Sequence, residues 1–420
     1  MSAREHADNL ATYLRMQGFR VLTVELREAW RGPGRQVRVL TFEDRRSVHH
    51  CGVCARRHAE GVYQETDPVY FRDTSPGDLE TYLEVYPWRV ACCDGTHRER
   101  FPFEMAGHRM TRRFFERAAA LCTRLPVQEV AKMAGLSWDT VARIDKRAIE
   151  FALGGQQPAL GRLRWIGIDE VSRTGGHDYF TIVTDLESER VVFIGDGKGD
   201  KGLKPFLEAL GPRGRRRIRG TTSDLGYLPL LQQAFPKATH LLDRFHIVKW
   251  LNEALKQLRR RIFGGAPRDT TGRDLKVHQW LLLSAPENLA HKHKLRLAQL
   301  VNLNEPLYRA YLLKEELRQL LHHPWRYTGA LRRNLKAWYQ WAVRSRLPEM
   351  VKVAKRLRPY FESVIAGFVH GIKLGLVEAI NGKIARLRAS AHGFRDRAYF
   401  KLKIFQRCSL PHNPWARIVL

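Results

Sequence analysis

Apolar and polar positions along this chain change period several times, and the changes mark its parts. Residues 163–169, 177–185 and 190–195 are short runs rich in Ile, Val, Phe, Tyr and Thr. The turns between them are Thr174-Gly175-Gly176 and Asp185-Leu186-Glu187-Ser188, so the three runs read as an antiparallel meander. A helical stretch at 204–210, an extended one at 217–223, a second helix at 228–235 and a last strand at 239–242 follow. Residues 245 to about 368 then turn helical and basic, and carry five of the ten Trp (Trp250, Trp280, Trp325, Trp338, Trp341). In the final stretch Val377, Ile380, Ile384 and Leu387 form an apolar stripe, with Glu378, Asn381, Ala385 and Arg388 on the adjacent face.

Upstream, residues 1 to about 105 contain strand-like runs at 36–42 and, less cleanly, at 79–86. From about 108 to 153 the pattern is helical, and Gly154-Gly155-Gln156-Gln157-Pro158 reads as a linker. The order β-β-β-α-β-α-β-α after 163 is that of a ribonuclease-H-like core. The expected fold is therefore an α+β multidomain chain. A small β module (1–105) and a helix-turn-helix (106–155) precede a mixed sheet with flanking helices (160–245). An all-α insertion (246–368) interrupts that core, which resumes at 369–420.

Charge narrows the class. Among 420 residues Lys and Arg number 72 against 43 Asp and Glu, a formal charge of +29. Release of counterions from a polyphosphate makes such an excess useful, so nucleic acid is the leading partner. No segment approaches the roughly 18 apolar residues of a membrane span, and the first residues have no apolar core of a secretory signal. Six cysteines in so long a chain, two of them a Cys-x-x-Cys pair, fit a reducing compartment with thiols open to metal. The expected location is the cytoplasm, at the nucleoid.

Three acids stand out against this basic background. Asp169 ends the run Trp165-Ile166-Gly167-Ile168, Asp224 follows Gly220-Thr221-Thr222-Ser223, and Glu378 opens the last amphipathic helix. Two Asp at strand ends and a Glu on a helix can hold two Mg²⁺ (or Mn²⁺) ions across one phosphate, one activating the attacking hydroxyl and the other steadying the leaving oxygen. A single Asp after a strand is more often a turn or cap residue. Asp243 also follows a strand and competes with Asp224, while Glu170 points to the opposite sheet face. Residues 371–407 carry nine basic against two acidic residues. Lys383, Arg386, Arg388 and Arg395 are candidates there for DNA phosphates.

Residues 126–144 read as a helix-turn-helix. Ala131 lies where two helices approach, Gly135 makes the turn and Ser137 caps the next helix. Val141 and Ile144 face inward, leaving Asp139, Thr140, Arg143 and Lys146 toward a major groove. Cys51-Gly52-Val53-Cys54 has the spacing of a metal knuckle. With Cys92 and His97 it makes a tetrahedral zinc site, Cys93 being the alternate ligand and His50 or His58 spares. Cys122 and Cys408 lie in apolar contexts and read as packing residues.

With these pieces the chain resembles the bacterial insertion-sequence transposases of the ISL-three type. The matching segments are 166–170, the Asp224 segment, Asp243-Arg244-Phe245-His246-Ile247-Val248, 376–384 and His392-Gly393-Phe394-Arg395. The likeness covers nearly the whole chain. It implies that Asp169, Asp224 and Glu378 are DDE metal ligands with an α-helical insertion between the last two, and that the N-terminus is a zinc module. It also implies binding to the double-stranded terminal inverted repeats of the element, and Mg-dependent strand cleavage and transfer into target DNA by a homodimer or higher oligomer. The family usually has a fourth Cys where this chain has His97, a wider spacing from the second Asp to an aromatic than that of Asp224 to Tyr227, and a Gly where Ala379 stands. A catalytically inactive, transposase-derived DNA-binding regulator is the alternative, and a structure-selective nuclease on the same fold a weaker one.

Overall fold

The computed structural model describes residues 16–30, 34–75, 79–154, 160–173, 178–263, 279–302, 305–373 and 375–410. The expected linker at 154–158, apart from Gly154, and the turn at 174–176 lie outside these residues. The chain is a mixed α/β, multidomain protein that divides into two compact units, one through Gly155 and one from Gln156 to Ser409.

In the first unit β1 (Phe19–Glu28), β2 (Gln36–Asp44), β6 (Val69–Asp73) and β7 (Glu80–Val85) form a sheet of order β1-β2-β7-β6. Between and after them lie the short strands β3 (His49–His50), β4 (Arg57–His58), β5 (Tyr63–Gln64), β8 (Trp88–Cys92) and β9 (Gly95–Arg98). Phe19, Val21, Leu40, Phe42, Phe71, Leu83 and Phe101 make the sheet's core. Three helices follow: α1 (Arg112–Cys122), α2 (Val127–Ala134) and α3 (Trp138–Ala152). Arg72 donates from the sheet to the carbonyl of Ala134, fastening the end of α2.

The second unit is built on a five-stranded sheet of β10 (Trp165–Ser172), β11 (Tyr179–Asp185), β12 (Arg190–Asp196), β13 (Gly220–Ser223) and β14 (Thr239–Leu242), in the order β12-β11-β10-β13-β14. The meander β10–β11–β12 is antiparallel, whereas β13 and β14 run parallel to β10. Alternation along β10 assigns its two faces. Ile166 and Ile168 join Phe206 of α4 (Asp200–Arg215) and Leu231 of α5 (Leu228–Ala234) in one core. Trp165 faces the other way, with Leu241 and Val377.

After β14 the described residues leave the sheet through α6 (Arg244–Phe263), α7 (Gln279–Leu283), α8 (His291–Asn302), α9 (Glu305–His322), α10 (Thr328–Arg344), α11 (Pro348–Leu357) and α12 (Phe361–Val369). Their common core includes Ile247, Leu251, Ala254, Leu255 and Leu258 of α6. At about 1.5–3 kcal/mol for each large aliphatic side chain so buried, this row fixes which face of α6 points outward. The chain returns to the sheet with α13 (Leu376–Ser390) and ends the described fold with α14 (Arg397–Cys408). Cys122 and Cys408 are buried, as packing residues should be.

Candidate catalytic carboxylates, recognition helix and cysteine cluster

Parallel pairing puts three aspartates on one level. Gly167 lies opposite Thr222 and Thr222 opposite Leu241. Two residues further along come Asp169, Asp224 and Asp243 on three neighbouring parallel strands. Asp224 and Asp243 directly follow β13 and β14, whereas Asp169 lies within β10, which runs on to Ser172 and so does not end where the sequence reading expected. Helix α13 approaches this row from the Trp165 face. Its contact is close because residue 167 is glycine: a Cβ there would stand 2.4 Å from Val377 Cγ2. Glu378 is in the first turn of α13, and one turn on Asn381 donates from Nδ2 to Asp169 Oδ2 at 2.6 Å.

Each aspartate spends one oxygen on a backbone N–H. Asp169 Oδ1 accepts from Glu170, Asp224 Oδ1 from Gly226 and Asp243 Oδ1 from Phe245. Asp224 is thus a cap, the ordinary role for its position, yet its Oδ2 lies 3.4 Å from His246 Nε2. His246 Nδ1 lies 4.0 Å from Asp243 Oδ2. Burial raises the carboxyl of Asp169, and the charges of Asp224 and Glu170 raise it further against the N–H of Glu170 and the nearby His246. Asp243 is raised by burial and by Asp169. Glu378 is raised by desolvation, then by Asp243 and Asp169. Four carboxylates thus gather around one imidazole, an oxygen-rich donor set that suits a hard divalent cation.

The sequence reading gave His246 no role beyond its place in a matching segment, although the spacing Asp243-Arg244-Phe245-His246 at a helix start was a usable signal. Glu170 does point away from the row: its Oε1 accepts from the hydroxyl of Tyr227 and the N–H of Gly199. On and after α13, Lys383, Arg386 and Arg395 are exposed. Arg388 differs from expectation, because its guanidinium donates to the carbonyl of Ser172 and braces the end of β10. It is a half-buried tie between helix and strand.

In the first unit α2 and α3 meet at a turn where Gly135 has φ 65°, a left-handed value that a side chain disfavours. Ser137 caps α3 by accepting from the N–H of Thr140. Val130, Val141 and Ile144 are fully buried. Asp139 and Arg143 are exposed, Thr140 and Lys146 half-buried, and Arg143 donates to Thr140 Oγ1 at 3.3 Å. Trp138 and Met133 are also exposed, adding an aromatic and a thioether to the outer surface that charge-based reading passed over.

Comparison with known proteins agrees with both regions. Residues 166–404 match the DDE transposase profile of the ISL3 family, described as "Transposase". Residues 99–149 match the helix-turn-helix domain of transposase family ISL3. The chain belongs to the ISL3 transposase family. It is 30% identical over 405 residues to the transposase for insertion sequence element IS1001 of Bordetella parapertussis, covering 94% of this chain and 96% of that protein. It is 30% identical over 409 residues to the transposase for IS1557 of Mycobacterium tuberculosis, covering 89% of this chain and 88% of that one. The protein is thus a DDE transposase, of an enzyme family that cleaves DNA and transfers strands. No helix among the transposase's described residues is long and apolar enough to cross a membrane.

The N-terminal cysteines of this transposase come together as a set. One ligand atom from each of Cys51, Cys54, Cys92 and Cys93 lies within 4.8 Å of the others. Cys54 and Cys92 sulfurs are 3.4 Å apart, those of Cys92 and Cys93 3.8 Å. The fourth member differs from the expected His97. Cys93 adopts φ 52° in the tight turn between β8 and β9, next to Cys92. His97 instead pairs with Val90, two residues before Cys92, and stands outside the set. The N–H of Arg56 and the neighbouring thiols draw the Cys54 thiol down to about 7, while burial pushes Cys92 up. Four convergent sulfurs with one poised to ionise suit a soft tetrahedral ion. Asp44, His49 and Glu99 also converge, but Arg46 bonds both carboxylates. That group is an ion-pair network that already holds a cation of its own, the Arg46 guanidinium.

Proposed function

We propose that this transposase binds the terminal inverted repeats of its own element and carries out Mg²⁺-dependent strand cleavage and strand transfer. The observation that carries the reading is the level row of Asp169, Asp224 and Asp243 facing the helix of Glu378. In this reading 160–245 and 369–420 form a ribonuclease-H-like core, 246–368 is an all-α insertion, 106–155 is the helix-turn-helix and 1–105 a zinc module. Asp169, Asp224 and Glu378 hold two Mg²⁺ (or Mn²⁺) ions, with Asp243 as the further or competing ligand. The bound cations supply charge neutralisation of the phosphate and activation of the attacking hydroxyl. Asn381 fixes the orientation of Asp169, and His246 stands between Asp224 and Asp243.

Around this centre Lys383, Arg386 and Arg395 contact phosphates of terminal or target DNA. Asp139, Thr140, Arg143 and Lys146 face the major groove of the repeats. Cys51, Cys54, Cys92 and Cys93 hold Zn²⁺, which stiffens the first unit. Two DNA ends require at least two active centres, so the working form is a homodimer or larger, acting at the nucleoid.

The test is to incubate the purified protein with labelled duplex from the DNA flanking its gene, with and without Mg²⁺, beside Glu378→Ala. The expected result is cleavage at the repeat boundary that needs both the metal and Glu378. Tight binding with no cleavage under either Mg²⁺ or Mn²⁺ would overturn the catalytic reading.

A further inference from the structure

Helix α6 leaves the carboxylate row with an outward face that no packing explains. Its first residues are part of the row's surroundings. The N–H of Phe245 bonds Asp243 Oδ1, and the Phe245 ring lies 6.0 Å from that of His246, which itself contacts Asp224. Yet the Phe245 side chain is turned out, 45% exposed. The apolar row from Ile247 to Leu258 buries the opposite side of the helix, so the outward direction of Phe245 is fixed by the fold.

Behind Phe245 the same face continues at helical spacing with Lys249, half-buried Lys256 and Arg260. Lys249 and Arg260 are exposed, and Lys249 forms no ion pair among the described residues. Lys256 makes only a loose 3.9 Å approach to Glu253. The helix is 20 residues long, and the stripe runs about four turns along it. An aromatic ring at the head of a row of cations combines a stacking platform with a track for a phosphate backbone.

We propose that α6 is the binding rail for the DNA strand that leaves the carboxylate row. Phe245 stacks on the nucleobase next to the scissile phosphate, and Lys249, Lys256 and Arg260 follow the continuing backbone. Stacking on a base is tolerant of sequence because every base has a π-face. The rail therefore holds the strand at the cut, while recognition of the end rests elsewhere. This rests on the catalytic reading above for the position of the scissile phosphate.

The experiment places 2-aminopurine singly at each nucleotide around the cleavage boundary and reads its fluorescence with the full-length protein. Asp169→Asn is used as the background so that no cleavage step enters. Strong quenching at one position is expected, at least several-fold weaker with Phe245→Ala and kept by Phe245→Trp. Lys249→Gln, Lys256→Gln and Arg260→Gln should each weaken binding of a strand-bearing end and lower its salt slope by about one. Equal quenching by Phe245→Ala overturns the stacking site. An unchanged salt slope in all three charge variants overturns the rail. Cleavage by Asp169→Asn itself would sink the catalytic reading separately, since the fluorescence signal depends on no bond being cut.

Discussion

The carboxylate row and the cysteine cluster are both gatherings of potential metal ligands, but the protein assembles them in opposite ways. The four sulfurs come from two short turns and already lie within 4.8 Å of one another. The carboxylates come from within one strand, the ends of two others and the start of a helix, and among the described residues no three of the row's acid and imidazole groups reach that mutual spacing. Neutral thiols can crowd together and release protons when an ion arrives. Ionised carboxylates repel, and here burial and mutual charge raise Asp169, Asp243 and Glu378 above the ordinary carboxylate range. The sulfur site is thus shaped by its own turns, the oxygen site by packing elsewhere in the unit.

The largest effect expected of this contrast is at the sulfur site. Cys92→Ser should lose all bound zinc and unfold the short strands around it, since metal binding and local folding are one equilibrium. Metal analysis together with circular dichroism reads both, and full metal retention would break the comparison. Next, Asp224→Asn and Asp243→Asn should each lower cleavage by about a thousandfold, the upper scale for removing one electrostatic stabiliser, with end binding intact. If Asp243→Asn stays within a few-fold of the parent, the functional row shrinks to Asp169, Asp224 and Glu378.

Gly167→Ala touches neither site directly but forces a methyl against Val377. A displacement of α13 by even 1 Å should cost up to about a hundredfold in cleavage, and overpacking about 1–3 kcal/mol in stability. Normal turnover in this variant would show that α13 is free to adjust.

Acidity gives a smaller, signed effect. A carboxyl raised in the folded state binds its proton more tightly there than in the unfolded chain, so its burden is absent below the unfolded value and develops as pH rises through the raised one. The contribution of Asp169, Asp243 and Glu378 should therefore make the metal-free protein melt a few degrees higher at mildly acid than at neutral pH. Mg²⁺ should cancel the difference at neutral pH, and not in Asp169→Asn. Differential scanning fluorimetry across this window checks it, and a flat profile would mean the row carries no strain. The smallest effect expected is that of His97→Ala, which should keep its full metal content. Loss of one equivalent would return His97 to the ligand set in place of Cys93.

Much of the second unit was legible because its strands are short, apolar and bounded by turn residues. The meander and the strand at 239–242 fall where periodicity puts them. Asp169 and Asp224 were findable because each ends such a run. The sequence reading passes over β1, although Leu22, Val24 and Leu26 alternate with Thr23, Glu25 and Arg27. Those apolar residues are exposed, so the pattern there reports the pleat and not burial. His246 carried a local signal, its spacing from Asp243 at a helix start, that the sequence reading did not use. The tie of Asn381 to Asp169 was hidden for another reason: it depends on how a helix docks on a sheet, and no local period encodes that. The exchange of Cys93 for His97 turns on one backbone angle in a four-residue turn, which spacing alone does not fix.

The hydrogen bond from Asn381 to Asp169 joins residues 212 positions apart in the chain. At roughly 5–20 residues per second on the ribosome, Asp169 emerges on the order of ten to forty seconds before its partner. Through that interval a nascent chain holds a finished helix-turn-helix and an unfinished centre. Any product that stops before Leu376 shares that state permanently. On the proposed function, such a fragment would bind the element's ends without cutting them, and incomplete synthesis would then act as a brake on mobility.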